Sequence, residues 1–163
     1  EAMQEQTYFP TNITPQLQDG FNGGIWMDLE GAVRTAVHAG DTVYVVTGAA
    51  FRKKGGSETI NIINPSNSYY TPGNSIDIPV PNYYWKVLLK VKRSGESVNN
   101  AKAIGFWLEH RDDLRENTSA YQNYAISVDQ IEEWTGFDFF ANLPEALQDL
   151  CEDDTDWADF RDF

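Results

Sequence analysis

The pattern of apolar and polar positions divides the chain into a helix, a strand-rich middle and a shorter helical end. Trp26, Leu29, Val33, Ala36 and Val37 recur at the spacing of one helical face. This predicts a helix from about residue 24 to 39 that buries the stripe. Gly40 and Asp41 close it, and residues 42 to 47 form an apolar, β-branched run that reads as a central strand broken at Gly48. Residues 51 to 71 are rich in Lys, Gly, Ser and Asn and read as a surface excursion, with room for a short strand around Ile60, Ile62 and Ile63. Residues 76 to 81 lead into a strand at 83 to 92 that is apolar on both faces, and Pro79 and Pro81 keep its entry off a central ladder position. A turn at 94 to 100 and a strand at 101 to 110 complete an antiparallel hairpin. Ser127 caps a helix at 128 to 135, with Gln130 at the third position as a capping box requires, and Gly136 stops it. A short strand at 137 to 141 and a last helix at 143 to 150, with Leu147 and Leu150 inward, follow. Residues 1 to 10 read as extended, with Tyr8 and Phe9 entering the core. The fold class is α+β, a central, mostly antiparallel sheet flanked by helices.

Composition adds the scale. A chain of 163 residues that is 41% hydrophobic and 13% aromatic makes one domain with a sizeable core. No apolar run reaches the roughly 20 residues of a membrane span, and no signal peptide is visible. The single cysteine, Cys151, excludes an intrachain disulfide and a cysteine-based zinc site, and reads as a small side chain in a C-terminal helix. The net charge of −13 argues against a simple nucleic-acid groove. Distribution softens that objection, because residues 145 to 163 hold eight acids and one arginine, a solvated or partner-facing tail. Basic residues cluster at Arg52, Lys53 and Lys54 and from Lys86 to Arg93, where they either face a nucleic acid or solubilise strand edges and loops.

Candidate chemistry sits on the first helix. Glu30 and Arg34 are four residues apart and share a flank beside Trp26. Asn22 lies roughly two turns earlier, near the positive end of the helix dipole. A carboxylate, an amide oxygen and a guanidinium on one edge suit a hard divalent cation with its waters, plus a phosphate neutralised by arginine. The plainer alternative, an Asn22-capped helix with a solvated Glu30–Arg34 pair, stays open on spacing alone.

The run Asn12-Ile13-Thr14-Pro15-Gln16, followed by Phe21-Asn22-Gly23-Gly24, Trp26, Leu29-Glu30 and Arg34, resembles the metal-binding half of the DNA/RNA non-specific endonucleases, which are ββα-metal or His-Me finger nucleases. Val45-Val46-Thr47-Gly48, the Ile78-Pro79…Tyr84-Trp85-Lys86-Val87 segment and Val128-Asp129-Gln130-Ile131-Glu132 with Thr135-Gly136 extend the resemblance over roughly residues 5 to 150. It implies phosphodiester hydrolysis in DNA and RNA without sequence preference, using one magnesium ion, with manganese as its substitute. Asn22 would be the direct metal ligand, Glu30 would hold metal-bound water, Arg34 would neutralise the phosphate, and Asn12 would support the site. The family's general base is a histidine in an Asp-Arg-Gly-His motif preceding this run, and the chain has no such motif. Its two histidines, His38 and His110, follow the site, and His110 reads as structural or exposed. Residues 1 to 150 are therefore expected to be the C-terminal portion of a nuclease domain, truncated or nicked, with 151 to 163 an acidic C-terminal tail. The implied partners are DNA and RNA, an N-terminal segment carrying Asp-Arg-Gly-His, and a second copy in a homodimer. The family's habit implies a secreted, periplasmic or cell-envelope location. Two alternatives remain: a secreted β-rich binding module whose aromatics stack on ligand, and a nuclease-like binder of nucleic acid or inhibitor that has lost catalysis.

Overall fold

The computed structural model describes residues 12 to 38, 41 to 63, 77 to 94 and 97 to 163. The extended lead-in with Tyr8 and Phe9, the Gly40 closure and the second half of the surface excursion lie outside the described residues.

The first helix starts earlier than its apolar stripe predicts. Gln18–Trp26 is wound as a π-type helix, with Asn22 N–H donating to the Leu17 carbonyl five residues back at 2.9 Å. It runs through a kink at Gly24 into α1, Met27–Thr35. Two glycines permit this path. A Cβ on Gly20 would collide with the Asp112 carbonyl, and one on Gly24 would press on Asp19 and Arg115. Arg115 then grips Asp28 in the first turn of α1 through two hydrogen bonds, at 2.6 and 3.1 Å. Phe21, Ile25, Trp26, Leu29, Val33 and Ala36 are buried. Val37, expected in the stripe, is 43% exposed because the helix has already ended at Ala36.

The main sheet contains β1 (Thr42–Ala50), β4 (Tyr83–Ser94), β5 (Ser97–Glu109) and β6 (Ala125–Ile126), all antiparallel in the order β1-β4-β5-β6. β2 (Asn61–Ile63) and β3 (Ile78–Val80) pair separately. The expected hairpin is present, with longer strands. Two expectations for β1 are overturned. It is an edge strand among the described residues rather than a central one, and Tyr44, Val45 and Val46 are exposed on it. Gly48 does not break it either. Gly48 faces Trp85 across the ladder, and a Cβ there would run into the indole, so glycine makes room for the ring.

β4 is buried on both sides, as its two apolar faces predict. Tyr84 and Leu88 join Ile104, Phe106 and Leu108 of β5 beneath the Phe21–Ala36 stripe. Trp85, Val87, Leu89 and Val91 point the other way, against α2 (Val128–Thr135) and Cys151 at the end of α3 (Glu145–Cys151). Ser127 Oγ accepts from Gln130 N–H at 3.2 Å, but the Gln130 amide donates to Glu133 at 2.6 Å, so only half of a capping box forms. Gly136 ends α2 with φ of 78°.

The C-terminal quarter departs most from expectation. Residues 137 to 141 form a loop instead of a strand, turning at Phe140 with φ of 57° and held by Phe139 N–H donating to Glu132 Oε1 at 2.5 Å. Leu150 is 79% exposed, and Cys151 takes the inward place. Nor is the acidic end a solvated extension. A further helix, α4 (Trp157–Asp162), buries Trp157 and Phe160 in the same core as α1.

Candidate metal and phosphate site

The π-type segment and α1 carry Asn22, Glu30 and Arg34 on one continuous stretch. Asn22 and Glu30 are half-buried and Arg34 is exposed. Asn22 lies inside its own helical turn and does not cap α1, whose N-cap position is Trp26. The Glu30–Arg34 ion pair of the plainer alternative does not form: among the described residues the ion pairs involve neither side chain. No hydrogen bond among the described residues occupies the Asn22 amide oxygen or the Glu30 carboxylate. Two hard oxygen donors are thus left free of protein partners, which is the donor chemistry that magnesium or manganese takes.

Lys86 is the residue that spacing alone misread. Its sequence neighbours place it in a basic cluster, yet its position on β4 points it under α1, and it is only 5% exposed. Its Nζ donates to Thr47 Oγ1 at 2.8 Å, across the β1–β4 ladder, and lies 4.6 Å from the centre of the Trp26 ring. Burial pulls its pKa down, the Glu30 charge pushes it up and the Arg34 charge pulls it down, so these three charges share one region. The signal was available: lysines at 86 and 90 share one face of a strand whose two faces are both apolar, so both must be buried.

Beside this edge lies a cleft of about 590 Å³, lined by Asn12, Gln16, Trp26, Thr47, Gly48 and Tyr84 among others. Asn12 shares this cleft with Trp26, whereas Asn22, Glu30 and Arg34 are not among its lining residues. Tyr84 fixes the segment that carries Asn12: its hydroxyl donates to the Pro15 carbonyl at 2.8 Å and accepts from Thr14 Oγ1 at 2.8 Å. Burial raises the Tyr84 pKa, which keeps the phenol a donor. His110 fastens the next turn. Its Nε2 accepts from Leu17 N–H at 2.8 Å and its Nδ1 lies 2.9 Å from the Pro81 carbonyl, so it is a neutral imidazole with the proton on Nδ1. Burial holds its pKa below the usual 6.5. With both nitrogens engaged by backbone, His110 is structural, as expected, and no base for attacking water.

The other basic cluster disperses. Arg52 donates to the Glu58 carbonyl at 2.7 Å, and Lys53 Nζ lies 3.3 Å from the Trp134 ring centre. The tryptophans offer no exposed stacking platform for a β-rich binding module: four of the five are buried and Trp134 is half-buried.

Residues 1–146 match the family model for DNA/RNA non-specific endonuclease. The chain is 30% identical over 159 residues to a nuclease from Syncephalastrum racemosum, covering 95% of this chain and 47% of that protein. It is 27% identical over 154 residues to the mitochondrial Nuclease 1 of Schizosaccharomyces pombe, covering 94% and 45%. It is 29% identical over 147 residues to a nuclease of Serratia marcescens, covering 88% and 47%. The chain therefore spans about half the length of the curated relatives it matches. In fold it is similar to a chain of the crystal structure of the EndoG/EndoGI complex, with a TM-score of 0.57, 19% identity, and coverage of 88% of this chain and 54% of that one. The ordered motifs, the antiparallel α+β architecture and the family match agree: the chain belongs to the DNA/RNA non-specific endonuclease family.

Proposed function

We propose that this chain supplies the metal-binding part of a site that hydrolyses phosphodiester bonds in DNA and RNA without sequence preference. The observation that supports the proposal is the grouping of the Glu30, Arg34 and Lys86 charges in one region, on and beneath the helical stretch that also carries Asn22. Asn22 would hold a magnesium or manganese ion directly and Glu30 would hold its waters. When bound, the ion would supply Lewis-acid stabilisation of charge on the scissile phosphate. Arg34, exposed at the edge, binds a non-bridging phosphate oxygen and neutralises charge as it builds. Lys86 keeps the floor of the site positive from a position substrate cannot reach. Asn12 orients the substrate backbone from the cleft wall. Contacts to phosphate and sugar rather than base edges leave the sequence unread.

The general base is assigned to a histidine on an N-terminal segment carrying Asp-Arg-Gly-His. Two observations support a segment that completes the domain: the chain matches about half of its relatives' length, and β1 is, among the described residues, an edge strand with exposed Val45 and Val46 that an added strand would cover. We attach to this reading a secreted or cell-envelope location, although the relatives include mitochondrial nucleases. No helix among the described residues is long and apolar enough to cross a membrane.

The test is cleavage of supercoiled plasmid and of an RNA transcript by the full-length protein, with magnesium and with EDTA. Both substrates should be cut only with metal. Cutting in EDTA, or no cutting of either substrate with magnesium, would contradict the proposal.

A further inference from the structure

On the opposite face of the sheet from Glu30, three carboxylates converge without a cation. Asp129 and Glu132 stand on α2, and Glu152 follows the end of α3. Each offers an oxygen within 4.8 Å of the others. Oxygens around a calcium ion lie about 2.3–2.6 Å from it, so neighbours up to about 5 Å apart can share one ion. Clustering alone would be a solvated acidic patch. Glu152, however, is only 6% exposed, and its buried Oε1 has no hydrogen-bond partner. A buried carboxylate oxygen left unpaired is costly. None of the three acids meets a lysine, arginine or histidine in an ion pair among the described residues.

The surrounding backbone holds the acids in place. The Glu152 carbonyl accepts from Val128 N–H at 2.8 Å and from Asp129 N–H at 3.4 Å, which fixes the end of α3 against the start of α2. Glu132 keeps one oxygen on Phe139 N–H, which leaves its other oxygen available. Asp138 and Asp149 add negative charge nearby. Burial first, then the charges of Glu132, Asp129, Asp138 and Asp149, raise the Glu152 pKa to about 7.

We propose that Asp129, Glu132 and Glu152 form a structural site for a divalent cation of the calcium class, separate from the Asn22–Glu30 edge, that pins the C-terminal helices to α2. Carboxylate-only donors favour calcium over magnesium, which keeps its waters. The cation would hold together a junction that otherwise joins like charges.

Thermal unfolding of the full-length protein carrying Asn22→Ala tests this, because that background removes the proposed ligand of the other site. Just above neutral pH, millimolar calcium should raise Tm by roughly 5 to 10 °C over EDTA. Glu152→Gln should abolish the rise while stabilising the calcium-free protein, since a neutral amide of equal size removes the repulsion. If that variant fails to fold, Asp129→Asn at the exposed rim provides the same reading. No rise with calcium, or a rise that survives these substitutions, would overturn the site and leave Glu152 as a protonated buried acid.

Discussion

Lys86 and Lys90 stand four residues apart on one face of β4, both buried, in opposite electrostatic situations. Lys90 is 0% exposed and closed off: its Nζ donates to the Arg161 carbonyl at 3.0 Å, lies 3.5 Å from Asp41 Oδ2 and is 5.6 Å from the Phe160 ring centre. Lys86 has a hydroxyl and an indole but no carboxylate within ion-pair distance. A buried cation paired with an acid fastens the fold. Lys86 instead lies in the field of Glu30 and Arg34 without an ion pair to either. On the proposed function, the same strand would serve stability at one end and the site at the other.

The comparison predicts that substitutions around Lys86 strike activity and those around Lys90 strike stability. The largest effect is expected for Glu30→Ala, which should lower plasmid nicking by the full-length protein on the order of 10²–10³-fold with Tm nearly unchanged. Retained nicking would remove Glu30 from the chemistry. Next, Lys90→Met should cost about 2 kcal/mol in urea unfolding, since it removes the buried Asp41 ion pair and leaves the Arg161 carbonyl without its donor. A neutral outcome would make the pair incidental. Lys86→Met should reduce nicking on the order of tenfold and cost less than about 1 kcal/mol, because an apolar side chain of similar length can replace a buried ion without loss. A large stability loss with unchanged nicking would reverse the assignment. The smallest effect concerns His110. Burial lowers its folded pKa below 6.5, so below that pH the unfolded chain binds more protons. Stability is then complete above about pH 6.5 and falls as the medium is acidified. The urea midpoint of the wild type should decline over this range, with a shallower slope in His110→Asn.

Much of this was legible from sequence. The β4–β5 hairpin could be read because each strand is predominantly apolar and a polar turn separates them, and α1 because Trp26, Leu29 and Val33 keep helical spacing. The π-type start was not, because it depends on Gly20 and Gly24 packing against Asp112 and Arg115, more than eighty residues away. The edge position of β1 was hidden as well: a β-branched run reports that a strand forms, not how many neighbours it has. The acidic end misled through its charge. Trp157 and Phe160, three apart, were the helical signal within it, and they bury in the core of α1. For the site, the family motif placed Asn12, Asn22, Glu30 and Arg34 on and beside one helix, while Lys86 emerged only once β4 had a definite inner face.

The measurement that bears most directly on the central claim is the magnesium dependence of plasmid nicking by full-length wild type and Asn22→Ala, with Tm recorded for both. The claim predicts that Asn22→Ala loses at least about a hundredfold in rate at unchanged Tm, with partial recovery as magnesium is raised. An Asn22→Ala protein with the wild-type rate and the wild-type magnesium dependence would contradict it.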